Sequence, residues 1–220
     1  QAEATRNLGE AYMAEGKFSS ALRELLKAEK MYPKDHILQH DLGLVYMARE
    51  RLNNAILHFK KSLSIKSDYA PAQNSLGTAY LAQKKWDDAI ACFKKVMENV
   101  LYATPHFPLN NLGKAYYFKK EYKISVKYYL EALELEPKFA ISQLGLAKTY
   151  IAMEKIPEAV KILEKAIKYS PRFAELHLEL ARAYKMAHKF RKALKAYNKV
   201  VELAPGTTIA KQSMKEAQQL

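Results

Sequence analysis

The chain has 220 residues, of which 49% are apolar and 11% aromatic, with only 7 Gly and 8 Pro. That composition excludes a disordered chain and suffices for a sizeable or continuously stacked core, while no run of about 18 uncharged apolar residues is present to span a membrane. Cys92 is the only cysteine, which excludes an internal disulfide and a multi-cysteine metal site, and 36 Lys+Arg against 23 Asp+Glu leave a net charge of +13.

The charge is uneven. Residues 1–110 carry 15 basic and 12 acidic side chains, and residues 111–220 carry 21 and 11, so the two halves stand at +3 and +10. A basic half favours acidic peptide segments, phospholipid head groups or nucleic acid as partners. No n-region and h-region of a secretory leader opens the sequence as given, which reads as cytosolic, mature or trimmed.

Taken in chain order, one pattern recurs. Leu8-Gly9…Tyr12, Leu42-Gly43…Tyr46, Leu76-Gly77…Tyr80, Leu112-Gly113…Tyr116, Leu146-Ala147…Tyr150 and Leu180-Ala181…Tyr184 follow one another at spacings of 34, 34, 36, 34 and 34. Nine residues after each tyrosine stands a small residue (Ala21, Ala55, Ala89, Ser125, Ala159, Ala193). Four further on stands a large one (Leu25, Phe59, Phe93, Tyr129, Leu163, Tyr197). Pro33, Pro137, Pro171 and Pro205 close four of the units, with Ser67 in the second. Repeats at this period mean a stacked array. The pattern resembles the tetratricopeptide repeat. It implies an all-α, right-handed solenoid of six helix pairs in a single domain over 1–220. The units are 2–35, 36–69, 70–105, 106–139, 140–173 and 174–207, with a capping helix over 208–220.

The residues agree with that reading. Apolar side chains fall at i, i+3, i+4 and i+7, the period of a helix. The small residue of each first helix lets the pair approach closely, and the large residue of the second helix fills the gap between units. Proline stops each second helix, whereas Pro71 and Pro157 fall in first turns, where a missing N–H costs little. Trp86 occupies a position held elsewhere by Phe18, Leu52, Tyr122, Ile156 and Phe190, and reads as structural.

No Gly-rich phosphate loop, HExxH, GxSxG or CxxC string is present. His36 and His40 stand at i, i+4 beside Asp41, a spacing that can hold a metal, but a helix start capped by Asp35 is the expected role, with His40 projecting into the groove. Cys92, near Lys94 and Lys95, reads as a buried small hydrophobe rather than an activated thiol. The expectation is therefore a protein without catalytic residues, metal or cofactor.

Solenoids bind on the face lined by their first helices, and the resemblance implies that positions 2, 5, 9 and 12 of each unit point inward. Position 5 includes His40, Asn74 and Asn110. Position 9 includes Leu44, Lys114, Lys148 and Arg182, and position 12 includes Met13, Met47, Leu81, Tyr117 and Lys185. The expected groove is apolar and Met-rich in its first half and a basic ladder in its second. Such a groove suits a peptide or helix with an apolar anchor and an acidic stretch. Nucleic acid is not expected, because base-reading repeats need regular stacking side chains at fixed positions.

The one spacing of 36 marks two extra residues around Asn99–Pro108. With six units, Leu101-Tyr102 in the insertion and Asn111-Leu112-Gly113 opening the fourth unit, the chain resembles the type IV pilus biogenesis and stability proteins of the PilF/PilW type. Those are six-repeat lipoproteins that serve as pilotins. The resemblance implies a periplasmic protein held at the outer membrane only by an N-terminal lipid anchor, whose partner is the secretin or another pilus-assembly component. The alternative is a soluble cytoplasmic adaptor or co-chaperone that captures peptide segments.

Overall fold

A computed structural model describes residues 1–99 and 102–220, so Leu101 of the insertion lies outside the described residues. Among those residues there are thirteen α-helices and no strand. They form two compact units, Gln1–Ala103 and Thr104–Leu220.

The first unit holds α1 (Ala2–Ala14), α2 (Phe18–Met31), α3 (His36–Ala48), α4 (Leu52–Ile65), α5 (Ala70–Ala82) and α6 (Trp86–Met97). The second holds α7 (His106–Phe118), α8 (Tyr122–Leu135), α9 (Ala140–Ala152), α10 (Ile156–Tyr169), α11 (Ala174–Met186), α12 (Phe190–Leu203) and α13 (Thr208–Ala217). Within each unit every helix packs on the next in sequence. First helices also touch one another, α1 on α3 and α3 on α5, then α7 on α9, α9 on α11 and α11 on α13. No two second helices touch in this way among the described residues. Each stack is therefore tighter along its first helices, which makes that side the inner one.

Side-chain caps start few of these helices. Asp35 accepts from the backbone of Ile37 and Leu38, and Thr207 from Ala210, but the other starts lack one among the described residues. The helices depend instead on burying their apolar faces. Pro71 and Pro157 stand in first turns. The turn inside each pair is built alike: Glu50, Lys84, Lys120, Glu154 and His188 have φ between 56° and 63°, and Gly16 has φ 73°. The amide after each left-handed residue donates to the carbonyl of the repeat's tyrosine, as Arg51 does to Tyr46 at 2.8 Å and Lys85 to Tyr80 at 2.9 Å. This double-bonded left-handed stop is the Schellman motif.

The large residues sit first against the small residue of their own pair. A Cβ at Gly9 would fall 2.7 Å from Leu25, at Gly77 2.6 Å from Phe93 and at Gly113 2.8 Å from Tyr129. Tyr129 also lies against Gly145 of the next first helix, so one side chain seals both its own pair and the junction beyond. Leu25 and Ala28 cluster with Leu38, Leu42 and Val45, while Phe59 clusters with Leu76, Ala79 and Cys92. A third device recurs at the unit starts. Gln39, Gln143 and His177 bond the carbonyls of Pro33, Pro137 and Pro171, six residues earlier, at 3.1, 3.0 and 2.9 Å. Each satisfies a carbonyl that the ended helix cannot.

Candidate functional site

The first-helix faces carry the candidate binding residues, and each unit presents its own. In the first unit Met13, Leu44 and Met47 are half-buried and pack against the buried core clusters. Leu81 is buried. These side chains follow from the helical period, which leaves the inward stripe without a covering helix.

His40 does not project into solvent. It is buried, with Nε2 3.0 Å from the Ser75 hydroxyl and its ring against Tyr69 and Phe59. Burial, with the nearby charge of His36, lowers its pKa to about 4, so the ring is neutral. Its 3.8 Å approach to Asp41 is consequently no ion pair. Asn74 is half-buried, and its Oδ1 has no hydrogen-bond partner among the described residues.

The same face holds a group that the groove positions alone did not reveal. Arg6 bonds Glu10 at 3.1 Å and Asp35 at 2.8 Å. Asp41, on α3, lies near Glu10 on α1, and its buried Oδ2 has no hydrogen-bond partner among the described residues. Burial, then the charge of Glu10, pushes Asp41 up to about 7, against the pull of Arg6. Arg6 bonds two of the three carboxyls, and the third, Asp41, is left buried beside them, which favours its protonated form.

In the second unit Asn110 is buried and holds the Ser142 hydroxyl at 3.0 Å, which makes it a packing residue. Tyr117 is half-buried, its ring edge-on to Phe118 at 5.4 Å and tilted to Tyr122 at 5.8 Å. Lys114 is exposed. The next two rungs of the basic ladder are engaged within the chain. Lys148 stands 3.6 Å from Glu179. Arg182 grips both oxygens of Glu216 at 2.9 and 2.6 Å and reaches Glu179 at 2.8 Å. The hydrogen bonds from Arg182 hold Glu216 below the usual carboxylate range. Lys185 donates to the carbonyl of Gln219 at 3.1 Å. The row thus alternates in sign and closes on α13. The count itself signals this, because 34 residues beyond Arg182 falls Glu216.

No group of three or more His, Cys, Asp and Glu side chains converges among the described residues in a way that could hold a metal. Cys92 is buried, and burial pushes its thiol up to about 11. A thiol so held stays protonated and is a poor nucleophile. The faces offer apolar contact, hydrogen bonds and charge, the means of binding a chain segment.

No curated protein matches the chain significantly in sequence. Among solved structures it is similar to PilW, a widely conserved type IV pilus biogenesis factor, at 19% identity and a TM-score of 0.89 over 97% of this chain and 98% of that one. It is similar to Pseudomonas aeruginosa PilF at 20% identity and a TM-score of 0.81, over 98% and 97% of the two chains. YrrB, described as a tetratricopeptide repeat protein with an unusual peptide-binding site, matches at 18% identity and a TM-score of 0.60 over 87% and 97%. Three tetratricopeptide repeat family models match residues 6–71, 68–138 and 154–217. With its paired helices, small-on-large packing and these matches over most of its length, the chain belongs to the tetratricopeptide repeat proteins.

Proposed function

We propose that the chain is a non-catalytic, protein-binding scaffold of type IV pilus biogenesis that helps the secretin assemble or reach its membrane. The single observation that carries this reading is the likeness to PilW along practically the whole of both chains, which PilF shares. A periplasmic site at the outer membrane follows from the same reading. The binding role rests on the uncovered apolar row of Met13, Leu44 and Met47 and on the exposed Lys114.

In this mechanism a partner segment seats an apolar side chain on the first unit's row. On the second unit, taken by itself, an acidic side chain of the partner protein pairs with Lys114 directly. At Lys148 and Arg182 it must exchange with Glu179 and Glu216, which makes those rungs weaker contributors to affinity. The test is secretin assembly in cells whose gene is deleted and then complemented. Loss of heat-resistant secretin multimers on deletion, restored by the wild-type gene but not by Leu44→Asp, is the expected result. Unchanged multimers and unchanged secretin location after deletion would reject the pilus role. Capture of a cytosolic peptide tail on the same face would favour the adaptor alternative.

A further inference from the structure

The second helices of the second unit leave a cleft of about 880 Å³ between α10 and α12. Its floor is apolar. Leu180 and Tyr184 lie at the bottom, each 7% exposed, with Ile167 on the α10 side and Leu194 on the α12 side. Leu194 is 45% exposed, although it stands in a helix otherwise rich in lysine. Its rim is cationic: Arg191, Lys192, Lys195 and Lys199 line α12 along one edge.

The acids nearby are already engaged. Glu202 pairs with Lys199 at 2.6 Å, and Glu164 accepts the Tyr184 hydroxyl. Lys192 stands 5.5 Å over the Tyr184 ring. Among the described residues no acidic side chain pairs with Arg191, Lys192 or Lys195. The lining residues of α12 run from Arg191 to Glu202, a length of about 16 Å, or roughly three helical turns. Leu180 and Tyr184 stand almost opposite Arg182 around α11, at about 100° per residue, so the cleft is separate from the first-helix face.

We propose that this cleft is a second docking site, for an acidic amphipathic helix of a partner protein. Its apolar side chains seat on Leu180, Tyr184 and Leu194, and its carboxylates meet Arg191, Lys192 and Lys195. Charge complementarity selects an acidic partner, because the rim has cations without counter-charges. Depth selects an inserted helix over a lipid surface. A flat bilayer reaches the rim cations but not apolar atoms recessed at the floor, whereas a helix ridge fills a groove between helices. The site goes beyond the pilus reading and does not depend on it.

The probe is a fluorescent amphipathic peptide of about four turns, with leucines along one stripe and glutamates flanking it. A scrambled peptide of identical composition and vesicles of phosphatidylglycerol in phosphatidylcholine serve as comparisons. The whole chain is titrated against each by anisotropy or co-sedimentation. Saturable binding of the amphipathic peptide is expected, weakened about tenfold or more by Leu194→Asp and by the double change Lys192→Glu, Lys195→Glu, and unaltered by Leu44→Asp. All of these positions are exposed or half-buried, and circular dichroism checks that each variant folds. Equal binding of the scrambled peptide would reduce the cleft to diffuse charge and overturn the proposal. So would indifference to Leu194→Asp, or binding of vesicles without binding of the peptide. Loss on Leu44→Asp alone would place the peptide on the first-helix face and equally overturn it, while leaving the pilus reading intact.

Discussion

Asp41 shows how one side chain makes a repeat sensitive to pH. Its neighbours are Arg6 and Glu10 on α1, Asp35 at the cap, His40 beside it and Tyr69 ahead of α5. Its folded-state pKa is raised from 3.8 to about 7. The cost of ionising it is absent below its ordinary value, grows as pH rises between the two values and is complete above the upper one. Acidification from about pH 8 to about pH 5 therefore stabilises the first unit through this group, by a few kcal/mol at most. Asp41→Asn is expected to unfold at higher urea than the wild type near pH 8, with the gap closing near pH 5. Parallel midpoints across that range would mean that Asp41 titrates normally. Gly43 supplies a second test. A Cβ there would enter the ring of Phe59, which has no exposed surface along which to move. Gly43→Ala should cost about 1–3 kcal/mol in chemical unfolding. The repeated glycine was legible in the sequence as a close approach. The Asp41–Glu10 contact was not, because the two residues meet only when α3 packs on α1.

At the scale of the element, the inner turns and the last helix hold the testable strain. Five of the six left-handed turn positions hold residues other than glycine. Lys84 is exposed at φ 60°, so Lys84→Gly relieves backbone strain and should raise stability by up to about 1 kcal/mol, while Gly16→Ala should lower it by about 1 kcal/mol. Thermal melts of the pair check both signs. Helix α13 is tied by Glu216 to Arg182 and to the Tyr197 hydroxyl, and by the Ser213 hydroxyl to the Tyr197 carbonyl at 2.9 Å. Glu216→Gln should cost about 1 kcal/mol, since the pair is partly exposed. It should also speed tryptic cleavage after Lys211 and Lys215. The same change removes one of the two carboxylates that engage Arg182, leaving Glu179 at 2.8 Å, so affinity for an acidic partner segment on this face should rise. A fall would mean that α13 itself forms part of the site. Helix periods could be read from spacing, and a thirteenth helix from the apolar residues of the tail. The left-handed residues could not, because Glu50, Lys84, Lys120, Glu154 and His188 share no side-chain chemistry and only the backbone hydrogen bonds select them.

At the scale of the whole molecule, charge and apolar surface divide between the units. The first, Gln1–Ala103, keeps the apolar row and the group of Glu10, Asp35 and Asp41 around Arg6. The second, Thr104–Leu220, keeps 21 of the basic residues against 11 acidic ones. Nine of those 21 basic residues stand on α8, α10 and α12, and three at position 9. Binding of a partner with both apolar and acidic parts should respond differently to each half. For a partner seated on the first-helix faces, as distinct from the cleft of α12, Leu44→Asp should abolish capture at any ionic strength. Lys114→Glu should weaken it several-fold at low salt and hardly at all at about 1 M, where exposed charges are screened. Equal salt dependence of the two variants would show that the faces do not share the work in this way.

The sequence by itself determined the paired helices, the small-on-large packing and the family. A period of 34 repeated along the chain leaves little freedom in how apolar stripes are buried. The resemblance to the repeat also implied which residues would stand at the inward positions. Only the tertiary structure decided which of them remain available. His40 and Asn110 are withdrawn into packing, and Arg182 is spent on Glu216. Leu194 stays open above a cationic cleft. Availability depends on what a neighbouring helix brings within 3–4 Å of a side chain, and a repeat count records position but not that neighbour.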